Sequence, residues 1–73
     1  MSVSKNEELA YLRARLGYAA GQREVALGRA DLARVTMEGA SMDNKVRDEM
    51  ALLYMRDREI ELLQTIFDLV EKS

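Results

Sequence analysis

Thr36–Asp43 reads TMEGASMD, and this short stretch decides the fold. It is the clearest lapse in an otherwise helical pattern. Gly39 stands where a left-handed residue closes a helix, and Ser41 or Asp43 can cap the next one. Working outward, the residues before it are mostly good helix formers (Ala, Leu, Arg, Glu, Gln) back to Ser4. Ser4-Lys5-Asn6-Glu7 has the S-x-x-E form of a capping box, in which Ser4 and Glu7 each satisfy an amide of the first turn. The residues after it stay helical to Lys72, and the chain contains no proline to interrupt either segment. The reading is all-α: helices over about 5–38 and 42–72, folded back by a short turn into an antiparallel hairpin. Residues 1–73 form one helical-hairpin domain on this view. Near-equal helices of ~34 and ~31 residues measure about 51 and 46 Å.

The first helix carries two apolar rows. One is Leu9, Leu12, Leu16, Ala19, Ala26, Ala30, Ala33 and Met37. The other steps by sevens through Tyr11, Tyr18, Val25 and Leu32, with Ala14, Gly21, Gly28 and Val35 three residues after each. With 3.6 residues per turn, these rows point roughly 150° apart. A single neighbouring helix cannot cover both. The second helix shows one broad arc, built on Val46, Leu53, Ile60 and Phe67 with Leu63 and Val70 beside them. Leu52, Met55, Leu62, Ile66 and Leu69 widen that arc, most strongly after Ile60. This places the best core near the two chain ends, with a thinner turn end where Lys45, Asp48, Glu49 and Arg56 enter the arc.

Composition excludes most chemistry. The chain has 73 residues with no Cys, His or Trp, so disulfides, thiol nucleophiles, zinc sites and histidine-based catalysis are ruled out. Asp57 and Glu61 share a helix face while Glu59 points elsewhere, and no oxygen-rich loop accompanies them, so no metal site is expected. General acid–base catalysis needs an enclosed pocket, which a hairpin does not offer. The expectation is a non-enzyme with no cofactor and no small-molecule substrate. No apolar run approaches the ~18 residues of a membrane span, and no signal-peptide core follows Met1, which points to a cytoplasmic protein without membrane contact.

Size then argues for association. Below about 70–80 residues one core rarely contributes more than ~3–5 kcal/mol, and staples are absent here. The expectation is a dimer of hairpins forming a four-helix bundle, or a hairpin completed by another protein. Gly21 and Gly28, in the second row, are candidates for close helix–helix approach; a break near Gly17–Gly21, giving three helices, is the competing reading. A helix-turn-helix reading of Gln22–Gly39 is disfavoured: with Gly28 as its turn the motif's small and apolar positions hold Glu24, Arg34 and Met37, and with Gly21 they hold Gly17, Leu27 and Ala30 but the surrounding pattern stays helical.

Three functions follow. The favoured one is a protein-interaction module, acting as a small regulator, inhibitor or assembly adaptor through Tyr11, Tyr18, Val25 and Leu32. The second is nucleic-acid binding by a hairpin dimer through Arg13, Arg15, Arg29 and Arg34, whose guanidinium forks suit phosphate. Net charge is −2 and aromatics are 5% of the chain, both unfavourable to that reading. The plainer assignment for these arginines is a solvated face with pairs to Glu49, Asp57, Glu61 or Asp68. The third function is a structural oligomer or scaffold piece.

Overall fold

The first helix opens at its sequence signature. In a computed structural model that describes residues 3–73, the Ser4 hydroxyl oxygen accepts the Glu7 backbone N–H at 3.2 Å. The half of the capping box in which Ser4 accepts is thus in place, and Glu7 and Glu8 put negative charge against the positive end of the helix dipole. Helix α1 runs Lys5–Thr36 without interruption, so Gly17 and Gly21 do not break it. Helix α2 runs Gly39–Lys72. Every described residue of regular structure is helical, and the two helices lie antiparallel along a body measuring 53 × 18 × 14 Å.

The turn is tighter than the sequence suggests. α1 stops at Thr36 rather than at residue 38, and α2 starts at Gly39 rather than at residue 42. Met37 and Glu38 are extended (ψ 162° and 157°), and Gly39 follows with φ +63°. The left-handed conformation expected of Gly39 is present, but it launches the second helix instead of closing the first. Because that glycine supplies the reversal at once, the chain does not wait for Ser41 or Asp43. Glu38 occupies the cap position without a side-chain hydrogen bond, and Met42 N–H donates to Glu38 O at 3.4 Å. At the open end, the Lys5 ammonium donates to the Glu71 carbonyl at 2.7 Å, a cation placed on the negative terminus of α2.

Small residues make up most of the fully enclosed core. Ala19, Ala26, Ala30 and Ala33 are buried, with Leu12, Leu53 and Glu49. Leu9, Leu16, Ile60, Leu63, Phe67 and Val70, the larger residues toward the chain ends, are only half-buried. The best-enclosed core therefore lies from the middle toward the turn, not at the ends. An alanine methyl is small enough to be covered completely by one facing helix, whereas bulky side chains extend past the edge of a two-helix contact.

Candidate interaction surface

The second row of α1 is uncovered. Tyr11 (64% exposed), Tyr18 (53%), Val25, Leu32 (61%) and Val35 (84%) all face away from α2, interleaved with Ala14, Gly21 and Gly28. A Cβ built on Gly17, Gly21 or Gly28 meets no atom within 4 Å, so nothing inside the hairpin requires glycine there. The close approach expected at Gly21 and Gly28 is not made with α2.

α2 carries a second row as well, which its sequence concealed. Leu52, Met55, Leu62, Ile66 and Leu69 follow steps of three and four, with Glu59 filling the gap, and all five are exposed. What read as one wide arc is two overlapping rows: an inner one through Val46, Leu53, Ile60 and Phe67, and an outer one. The high apolar density after Ile60 blurred them; the alternating step pattern was the signal that separates them.

A charged cluster joins the two outer rows. The Glu59 carboxylate accepts from Arg56 at 2.9 Å on its own helix and from Arg15 at 3.3 Å on α1. Both guanidinium groups lie over the Tyr18 ring, with Arg56 at 5.5 Å and Arg15 at 5.8 Å from its centroid. Tyr18 belongs to the outer row of α1 and Glu59 to that of α2, so the two rows are linked at this point through Arg15 and Arg56. Glu59 thus has a role that the sequence reading, which sent it elsewhere, missed. The pairing depends on the register between two helices, which no local spacing reports.

The remaining arginines are mostly engaged. Arg13 stacks over Phe67 at 5.5 Å, and Arg34 pairs with Asp31 at 2.9 Å. Arg23 bridges to Asp57 across the helices and to Glu24 on its own; its hydrogen bond to Asp57, then that carboxylate's charge, raise its pKa above the usual guanidinium value. Of the anticipated interhelical partners, Asp57 takes that role, whereas Glu49 pairs with Lys45 and Glu61 with Arg58 on α2 itself. Among the described residues Arg29 forms no ion pair; it lines a shallow depression with Leu32, Ala33, Thr36, Met37 and Lys45.

Among the described residues, no three acidic side chains converge as a metal site would require. No helix is long and apolar enough to cross a membrane. Comparison with protein-family models, with curated proteins and with solved structures gave no match to this chain.

Proposed function

We propose that this protein is a non-enzymatic interaction module, a small regulator, inhibitor or assembly adaptor, that works as a dimer of hairpins and presents a helix face to its target. The observation that carries this reading is that each helix leaves an apolar row exposed, Tyr11, Tyr18, Val25 and Leu32 on α1 and Leu52, Met55, Leu62, Ile66 and Leu69 on α2. Soluble proteins seldom leave such rows uncovered unless something binds them. Within the first row, Tyr18 is flanked by two arginines that are held in place by Glu59. Aromatic and arginine side chains of this kind are the usual anchors of binding energy, and fixing them beforehand lowers the entropy lost on binding. The nucleic-acid reading is less well supported, because Arg13, Arg15 and Arg34 are occupied within the hairpin.

The test compares the intact protein with Tyr18→Glu and Ile66→Glu variants in affinity capture from the native host. Each captured protein is then purified and the complex rebuilt from two pure components. A rebuilt complex that the variants lose, while their helical circular dichroism is unchanged, supports the proposal. Failure of any captured protein to bind in pure form shifts the assignment to a purely structural oligomer. Binding to random duplex DNA with steep salt dependence transfers it to nucleic acid.

A further inference from the structure

Resting on the interaction reading, we infer that the outer row of α1 takes a second copy of this chain, as an antiparallel α1–α1 pair with its twofold axis level with Arg23. Gly21 and Gly28 lie inside a continuous helix, where each costs about 1 kcal/mol relative to alanine. No neighbour within the hairpin approaches either position. A helix passing close over this row gives them a reason.

The order of residue sizes then fixes the direction of that helix. Folded antiparallel about the level of Arg23, Tyr18 meets the partner's Gly28, Val25 meets the partner's Gly21, and Leu32 meets the partner's Ala14. Tyr11 meets the partner's Val35 at each end. Every small residue receives a large one. A parallel pair in register stacks Tyr on Tyr and Gly on Gly, which leaves alternate clashes and voids, so the row is self-complementary in one direction only.

The area is sufficient. Tyr11, Tyr18, Val25, Leu32 and Val35 together expose roughly 600 Å² per chain, against the ~800 Å² per partner of a standard stable interface, before flanking side chains are counted. The geometry also favours α1 at the centre. Its two rows point nearly opposite ways, so α1 lies between α2 on one side and its own copy on the other. The outer row of α2 stays open for a different protein.

The flanks carry no ionic attraction. Glu24 comes beside its own copy, and Arg15 comes near the partner's Arg29. The association is apolar in origin, and added salt leaves it unweakened.

The experiment uses the full chain, which has no native cysteine to interfere. Sedimentation equilibrium should give a dimer at micromolar concentration, undiminished in 0.5 M salt, where the Debye length falls to about 4 Å from the ~30 Å of dilute buffer. Gly21→Leu/Gly28→Leu should weaken it about 100-fold or more while helical circular dichroism holds or rises, since leucine is the better helix former. Spin labels on Glu24→Cys, Gly17→Cys and Asp31→Cys then read the register. An antiparallel pair separates each label from its copy by about 3 Å along the axis per residue from the twofold, hence roughly 3, 18 and 24 Å. Equal separations at all three positions, as in a parallel pair, overturn the inference, and so does a long separation at position 24, as in packing of α1 on the partner's α2. So does an unchanged dimer in the glycine variant. A monomer that still binds a purified protein in a Tyr18-dependent way overturns this inference alone and leaves the interaction reading standing.

Discussion

Replacing Glu49 by leucine should make the hairpin more stable. Glu49 occupies an inner-row position of α2 between Val46 and Leu53 and is 3% exposed. The Arg15–Glu59 and Lys5–Glu71 contacts set a register that puts it level with Ala26, which is also buried. One carboxylate oxygen pairs with the Lys45 ammonium at 2.9 Å, and the other is buried without a hydrogen-bond partner. An orphaned buried polar atom costs about 1–3 kcal/mol. A leucine in its place contributes about 1.5–3 kcal/mol of burial. Against these stands the pair with Lys45, whose side chain is 46% exposed, which limits that interaction to about 1 kcal/mol or less. The balance favours Glu49→Leu by about 2–4 kcal/mol.

Lys45→Ala should move the other way. It leaves the buried carboxylate with no cation at all and forfeits the interaction with the half-exposed ammonium, a cost of up to about 1 kcal/mol. The assay is urea denaturation followed by circular dichroism at fixed protein concentration, repeated in the Gly21→Leu/Gly28→Leu background so that association does not enter. The two substitutions must differ in sign. A Glu49→Leu variant that unfolds at lower urea than the parent refutes the reasoning, since the carboxylate would then have a favourable partner that balances its burial.

Two further outcomes follow from the backbone. Gly39→Ala should destabilise by about 1–2 kcal/mol because its φ of +63° crowds any Cβ, whereas Gly17→Ala, in open helical surroundings, should stabilise by up to about 1 kcal/mol; thermal melts of both read the contrast, and equal signs would contradict it. Ser4→Ala removes the oxygen that accepts the Glu7 amide and should cost about 1 kcal/mol, with faster amide exchange confined to the first turn of α1; uniform loss of protection along the helix would argue against a local cap.

How much of this was legible in the sequence depends on the range of the interaction involved. The start of α1 and the two rows of that helix are local facts. Four residues spell the cap, and a strict seven-residue step through Tyr11, Tyr18, Val25 and Leu32 declares a face. The turn was legible in kind but misplaced, because Ser41 and Asp43 are good caps by propensity, whereas one positive φ at Gly39 reverses the chain before they are reached. In α2 the two rows were fused by the run of large apolar residues after Ile60, which fills both at once. The Tyr18 cluster lay beyond any local reading. It exists because a turn of two extended residues sets α1 against α2 so that Arg15 reaches Glu59. A turn even one residue longer shifts that register by about 1.5 Å and rotates the facing side chains by about 100°, which would separate the two outer rows that the cluster now joins. The tightness of the Met37–Glu38 turn is therefore a condition of the surface as well as of the fold.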